Sequence, residues 1–315
     1  MSKQNNNSKN IVKPFIKWAG GKTQLLDNIY NYFPNKINNY YEPFVGGGSV
    51  FLKLLEKLEN NEIEVNNIFI SDLNKDLINL YNCIKNDIDK LIIEIKRLCD
   101  NYNNTEIKKY KKRHNFDKEE IPNVIDENDA ISKGSQVLYY YYRHKYNTLT
   151  LNDIEKSALF IFLNKSCFRG LYREGKKGFN VPFGNYKKVN IDTDMLKYHN
   201  KLYNKYNVNF DCKSYDKLRI VNHNDFVYLD PPYVPVNDTS FTNYQKDGFV
   251  NCFDDLVDYC NELNKKNIKF IQSNSNVDFN LKNYKDYEII EIKDCKRHIN
   301  SKNPESTITE ILIMN

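Results

Sequence analysis

The sequence predicts an α/β fold, a mostly parallel sheet whose chain is interrupted by a mainly helical insertion. Three observations carry this expectation. Short apolar, β-branched runs alternate with helical periodicity in both outer thirds of the chain. A glycine triplet separates the first such run from the helix that follows it. Residues 101–200 change character and become charged and helical. With 315 residues, 40% of them hydrophobic, the chain has room and apolar material for one large domain and an inserted module.

The elements follow in order. Residues 1–10 are rich in Lys, Asn and Ser and read as a disordered tail. Lys17-Trp18-Ala19-Gly20-Gly21-Lys22 puts a basic residue, the only tryptophan and a glycine pair before the first helix; on packing grounds alone Trp18 reads as core. Tyr40-Tyr41-Glu42-Pro43-Phe44-Val45 is strand-like, Gly46-Gly47-Gly48 is a turn, and the leucines after Ser49 have helical spacing. Ile68-Phe69-Ile70-Ser71 is a second strand ending at Asp72, and one helix is expected over about 75–99. The insertion holds a tyrosine run at 139–142, an apolar helix over 154–163 and a Gly- and Arg-rich, hairpin-like piece over 167–186. Strands resume at Val208-Asn209-Phe210 and at Phe226-Val227-Tyr228-Leu229, which runs into Asp230-Pro231-Pro232-Tyr233. Ile268-Lys269-Phe270-Ile271 precedes a polar turn over 272–276, and residues 287–292 and 310–314 form an antiparallel terminal hairpin.

Composition narrows the class. There is no apolar run long enough to cross a bilayer and no charged-then-apolar leader, so a cytoplasmic protein is expected. The seven cysteines contain no C-x-x-C pair, and with five scattered histidines they build no zinc spacing; reduced thiols and no metal are expected. The net charge of +5 is a weak pointer to a polyanionic partner. Its distribution says more: Lys108 to Arg113, Arg143 to Lys145 and Arg169 to Lys177 gather basic residues in the middle of the chain. Each run alone fits a solvated face as well as a binding site.

Two segments can carry chemistry. Glycines at the end of a strand let a backbone approach a ligand closely. Gly46-Gly47-Gly48 is neither G-x-G-x-x-G nor a P-loop, and by itself it fits a tight turn or a cofactor loop equally. Asp72, at the end of the next strand, could accept hydrogen bonds from the ribose hydroxyls of a nucleoside cofactor, or cap the following helix. In Asp230-Pro231-Pro232-Tyr233 the prolines lack N–H donors and stiffen the turn. The Pro231 carbonyl and Asp230 carboxylate are then two acceptors, which suits an exocyclic amine with two hydrogens, and Tyr233 offers a face for a flat base.

Taken together and in this order, Lys17 to Lys22, Phe44 to Gly48 and Asp230 to Tyr233 resemble the K-W-A-G-G-K, F-x-G-G-G and D-P-P-Y segments of the Dam-type, alpha-group DNA adenine-N6 methyltransferases. The stretches from Asn164 to Arg173 and from Phe179 to Gly184 resemble that family's target-recognition hairpin. Phe241-Thr242-Asn243-Tyr244 and Thr309-Glu310-Ile311-Leu312 extend the likeness over nearly the whole chain.

The resemblance implies a Rossmann-like methyltransferase sheet formed by residues 11–100 and 201–315, with a DNA target-recognition domain at 101–200. It implies S-adenosylmethionine as cofactor, held by Trp18, Lys22, Phe44, Gly46, Gly47, Gly48, Asp72 and Asp230. Catalysis falls to Asp230, Pro231, Pro232 and Tyr233. Contact with double-stranded DNA falls to Lys17, Phe168, Arg169, Leu171, Arg173, Pro182 and Asn185, with GATC as the expected site.

It further implies a monomer, with a companion restriction endonuclease on the same site as one setting. Two positions depart from the family pattern: Asn185 stands where arginine is common, and Ser214-Tyr215 where Asp-Phe is common. Amino methylation of cytosine, RNA or a protein amide is the nearest rival reading. A DNA-binding protein of this fold without catalysis is another. The cysteine pattern speaks against a zinc deaminase, and Ser49-Val50 after the glycines against a nucleotide hydrolase.

Overall fold

The computed structural model describes residues 12–107, 124–220, 222–234, 252–300 and 303–315. The first third contains α1 (Leu26–Tyr30), β1 (Lys36–Glu42), α2 (Ser49–Glu59), β2 (Glu64–Asp72), α3 (Lys75–Asn86) and α4 (Ile88–Asn103). The middle contains α5 (Glu127–Lys133), α6 (Ser135–Thr148), α7 (Asp153–Ser166), the strands β3 (Glu174–Gly175) and β4 (Gly178–Phe179), and α8 (Thr193–Lys205). The last third contains β5 (Asn209–Cys212), β6 (Phe226–Leu229), α9 (Cys252–Lys265), β7 (Lys269–Ser275), α10 (Asp278–Asn283), β8 (Glu288–Asn300) and β9 (Asn303–Met314). The expected tail at 1–10, the basic run at 108–113 and the loop Phe241-Thr242-Asn243-Tyr244 lie outside the described residues. The chain forms two compact units. One comprises Lys22–Val45, Ser49–Leu73 and Tyr206–Asn315, the other Met1–Gly21, Gly46–Gly48 and Asn74–Lys205.

The first unit is built on a sheet of order β5-β2-β1-β6-β7-β9-β8. Strands β5, β2, β1, β6 and β7 pair in parallel, while β9 runs antiparallel to both β7 and β8. The mostly parallel α/β sheet expected from the sequence is therefore present. Strand β6 lies at its centre and is buried at all of its positions, which explains why it reads as an unbroken apolar run rather than an alternating one. Val227 and Leu229 join a core with Leu256, Cys260 and Leu263 of α9. On the alternate positions, Phe226 meets Phe33 edge-on at 4.7 Å between ring centroids, and the Tyr228 hydroxyl shares a hydrogen bond with Ser273 Oγ at 2.7 Å. Because β2 and β5 lie to one side of β1 and β6 and β7 to the other, the strand order reverses between β1 and β6. That switch point is where open α/β sheets form a ligand crevice at the carboxyl ends of their strands.

Two expectations for this unit are corrected. The polar stretch 272–276 is not a turn: β7 continues to Ser275, and Gln272, Ser273, Asn274 and Ser275 are all buried. Strand β9 pairs with their backbone from Gln272 to Ser275 and β6 pairs with Gln272, while side chains find partners such as the Tyr284 hydroxyl on Gln272 Oε1 at 3.1 Å. The terminal hairpin is also longer than expected, because the ladder between β8 and β9 runs on to Asn300 and Asn303.

The second unit is mainly helical. Helix α7 is apolar around its whole circumference from Ala158 to Leu163 and buried throughout, so it sits at the unit's centre. Asn152 starts it with a capping box, accepting from Ile154 and Glu155 backbone N–H while Glu155 reaches back to the Asn152 N–H. The single helix expected over 75–99 is two, α3 and α4, broken at Asp87, whose φ of −131° and ψ of 35° are not helical. The tyrosine run belongs to α6, where Tyr139 donates to the Val181 carbonyl at 2.7 Å and Tyr142 to Glu127 Oε1 at 2.8 Å. The expected hairpin reduces to β3 paired with β4, plus an isolated bridge between Cys167 and Phe183.

Candidate active site

Three acids mark the carboxyl ends of neighbouring parallel strands in the sheet unit. Glu42 is the last residue of β1, Asp72 the last of β2, and Asp230 follows β6 directly. Lys22 joins the first strand's neighbourhood through its backbone N–H, which donates to Ser49 Oγ at 3.0 Å at the start of α2. Its ammonium spans 208 positions of sequence to reach Asp230, at 2.6 Å from Oδ1 and 2.7 Å from Oδ2. The Lys22 side chain is 2% exposed and that of Asp230 20%, so each charge offsets the other where water reaches little of the pair. The same ammonium lies 4.8 Å from the centroid of the Tyr233 ring. The Tyr233 hydroxyl donates to Glu310 Oε2 on β9 at 2.8 Å. Pro231 is buried, whereas Asp230, Pro232 and Tyr233 are half-buried.

Glu42 is the acid that sequence reading did not single out. It is almost fully buried and accepts a hydrogen bond from the Tyr40 hydroxyl at 2.5 Å. Burial raises its pKa from 4.5 to about 8, with Asp230 adding to the rise and Tyr40, Lys22 and the Phe51 backbone opposing it. Between those two values the folded chain keeps a proton that the unfolded chain has lost. Glu42 therefore makes stability fall as pH rises through that window and level off above it. Glu42→Gln, neutral at every pH, should flatten the dependence and melt at or above the parent at the upper end of the window. Thermal melts of both proteins across the window check this, and parallel curves would refute it.

In the helical unit, Trp18 is half-buried, with its ring stacked on Tyr172 at 4.8 Å and 22° and on Phe160 at 6.3 Å. It is thus neither an exposed side chain nor a sealed core residue. The glycine loop fits against it. A Cβ on Gly46, whose φ is +48°, would stand 2.7 Å from Trp18 Cδ1, and one on Gly47 would stand 2.9 Å from Trp18 Cβ. The Tyr81 hydroxyl holds the Gly46 carbonyl at 3.1 Å. Both glycines therefore allow close approach to the indole, and Gly46 also allows a left-handed backbone conformation.

A family model described as D12 class N6 adenine-specific DNA methyltransferase matches residues 18–298. The chain belongs to this family. It is similar over its length to curated proteins of related name. A Type II methyltransferase, M.MjaIII of Methanocaldococcus jannaschii, is 40% identical over 96% of this chain and 99% of its own. A Type II methyltransferase of Lactococcus lactis subsp. cremoris, M1.LlaDCHI, is 30% identical over 96% and 95% of the two chains. The DNA adenine methylase of Haemophilus influenzae is 32% identical over 94% and 90%.

For an adenine-specific DNA methyltransferase the remaining sequence candidates fall as follows. Lys17, Arg169, Leu171, Arg173 and Asn185 are exposed, and Phe168 and Pro182 are half-buried. Arg169 and Asn185 both have a φ of 61°, and the Arg169 guanidinium lies 5.1 Å from the Phe168 ring centroid. Arg173 Nε donates to Asn180 Oδ1 at 2.6 Å. The turn that carries these residues is tied to the N-terminal segment by the buried Asn164, whose amide accepts from Lys17 N–H and donates to the Lys17 carbonyl, each at 2.9 Å. The N-cap of α3 is Asn74, which accepts from Leu77 N–H at 2.9 Å, and Asp72 lies two residues before it at the end of β2.

Phe44 is half-buried and packs 5.5 Å from the ring of Tyr215, which is itself core. Glu42, Asn164, Tyr172 and Glu310 were missed as candidates. The legible signal is an acid directly beside an apolar or aromatic run, Tyr40-Tyr41 before Glu42 and Ile311-Leu312-Ile313 after Glu310. Among the described residues no cluster of His, Cys, Asp and Glu could hold a metal ion, and no helix is long and apolar enough to cross a membrane.

Proposed function

We propose that this methyltransferase transfers the methyl group of S-adenosylmethionine to N6 of an adenine turned out of duplex DNA, with GATC as its site. The observation that carries the reading is the Lys22–Asp230 pair beside Tyr233 at the strand switch point of a family member. The residues present fit the cofactor: a half-buried acid, Asp72, suits ribose hydroxyls, and the bare glycine backbone at Gly46 and Gly47 suits close approach of a ligand. S-adenosylmethionine, when bound, supplies an electrophilic methyl carbon.

The chain's own residues do the rest. The adenine amine is a poor nucleophile because its lone pair is delocalised into the ring. Asp230 and the Pro231 carbonyl accept its two hydrogens, localise the lone pair and aim it, while Tyr233 stacks on the base. A bound S-adenosylmethionine would give up its methyl to that lone pair and keep the sulfur–carbon bonding electrons, and one amine proton would leave to solvent. Asp230 opposes the positive charge as it appears on nitrogen. Lys22, which pairs with Asp230, holds the carboxylate in place until the base arrives.

Lys17, Phe168, Arg169, Leu171, Arg173, Pro182 and Asn185 are assigned to DNA, within a target-recognition domain at 101–200. Residues 11–100 and 201–315 are assigned to catalysis. Phe168 and Arg169 suit entry beside the extruded base, and an arginine at 173 suits a bidentate contact to guanine. With Asn185 in place of arginine, one guanine contact must be made differently. The test is transfer of labelled methyl from S-adenosylmethionine to unmethylated duplex DNA, with modified positions mapped. Label on adenine in one short motif is expected; label on cytosine, on RNA or on nothing would overturn the reading.

A further inference from the structure

We propose that Glu310 is a positioning residue for the methyl transfer, acting through the Tyr233 hydroxyl to fix and polarise the ring on which the target adenine stacks. The inference rests on the role given to Tyr233 above and adds a residue to it. Tyr233 lies outside any helix or strand, after two prolines, and its ring needs a fixed plane if a base is to stack on it productively. Glu310 supplies the anchor. It is 3% exposed and lies on β9, where it pairs with Ser275 of β7 on one side and Ile292 of β8 on the other. An acceptor fixed from both sides by a sheet has little freedom, and Tyr233 Oη meets it at 2.8 Å.

Burying a carboxylate beside Ile311, Leu312 and Ile313 is costly for the fold, and an apolar residue would serve packing better. The carboxylate makes sense if its charge is used. A phenol that donates to a carboxylate carries more negative charge on its oxygen and ring, so its face attracts positive charge more strongly. The ring already has a cation, the Lys22 ammonium, 4.8 Å from its centroid. Methyl transfer places new positive charge on the stacked base, charge that is absent in the ground state. An interaction strengthened only at that stage raises kcat and leaves KM nearly unchanged.

The test uses the full chain, labelled S-adenosylmethionine and duplex DNA with 2-aminopurine at or beside the target base. The variants are Glu310→Leu, Glu310→Gln, Tyr233→Phe and the double variant Tyr233→Phe with Glu310→Leu. Glu310→Leu should slow single-turnover transfer by about tenfold or more, with the KM for DNA moving less than about threefold. Glu310→Gln keeps an acceptor oxygen and should recover part of the rate. Tyr233→Phe should match Glu310→Leu, and the double variant should be no slower than either, because both remove one interaction. Losses that multiply in the double variant would overturn the proposal, as would a parental rate in Glu310→Leu or an effect confined to KM. Should Glu310→Leu fail to fold by circular dichroism, the pair Glu310→Gln and Tyr233→Phe decides alone: parental rates in both would overturn it. Failure of the underlying reading looks different, since Tyr233→Leu would then transfer methyl and report base extrusion as the parent does.

Discussion

Asp230→Ala should abolish measurable methyl transfer and also weaken the fold. The carboxylate is one of the two acceptors assigned to the adenine amine and the group that opposes charge developing on nitrogen. Losing such a preorganised electrostatic contact costs about a hundredfold to a thousandfold in rate, and losing the aim of the nucleophile adds to it. The stability cost has a separate origin. Lys22 is 2% exposed and has Asp230 at 2.6 Å; without the acid its buried ammonium loses the carboxylate that contacts it. Removing one partner of a buried pair costs about 3 kcal/mol, and the 20% exposure of Asp230 argues for no more than that.

Three companions separate the two effects. Asp230→Asn keeps an acceptor and the shape, and should fold better than Asp230→Ala while remaining severely impaired. Adding Lys22→Met to Asp230→Ala should restore much of the melting temperature and none of the activity. Calorimetry with a bound-cofactor assay and single-turnover transfer reads the two arms. An active Asp230→Ala protein would end the assignment of Asp230, and a double variant no more stable than the single would end the account of the ion pair.

What the sequence made legible was the part written in contiguous residues. Strand β6 was clear because a central parallel strand is apolar on both faces and because Asp230-Pro231-Pro232 stops it abruptly. The glycine triplet was clear because the left-handed conformation of Gly46 and Gly48 leaves glycine as the easy choice. What stayed hidden depends on partners far away in the chain. The run from Gln272 to Ser275 looks like a turn by composition, yet it is strand because the antiparallel β9 pairs along all of it and buried polar neighbours such as Tyr228 and Tyr284 take its side chains. The break between α3 and α4 at Asp87 leaves little trace in a pattern that stays apolar at helical spacing on both sides. No spacing rule pairs Lys22 with Asp230, or Tyr233 with Glu310 on an antiparallel strand. Glu42 is not singled out by its place in a strand-like segment; its burial, with Asp230 adding to the effect, is what raises its pKa to about 8.

The glycine loop offers a second large effect, through geometry rather than charge. Gly46→Ala would place a methyl group 2.7 Å from Trp18 Cδ1 and 2.9 Å from Nε1, at a φ of +48°. The left-handed conformation alone costs an alanine about 1–2 kcal/mol. The clash adds to this, because an indole stacked on Tyr172 at 4.8 Å cannot give way without losing that stack. If the loop and Trp18 hold the cofactor, affinity for it should fall by about tenfold or more.

Gly47→Ala is the internal comparison. Its methyl would meet Trp18 Cβ at 2.9 Å, but no left-handed φ applies, so its loss should be smaller. Since Trp18 is the only tryptophan, intrinsic fluorescence reports the ring directly, and titration with S-adenosylhomocysteine gives the affinity in the same cuvette. A shifted emission with a weakened dissociation constant, larger for Gly46→Ala than for Gly47→Ala, is the expected order. A shifted emission with parental affinity in both would mean that the loop packs against Trp18 for structural reasons alone, and that the cofactor is held elsewhere.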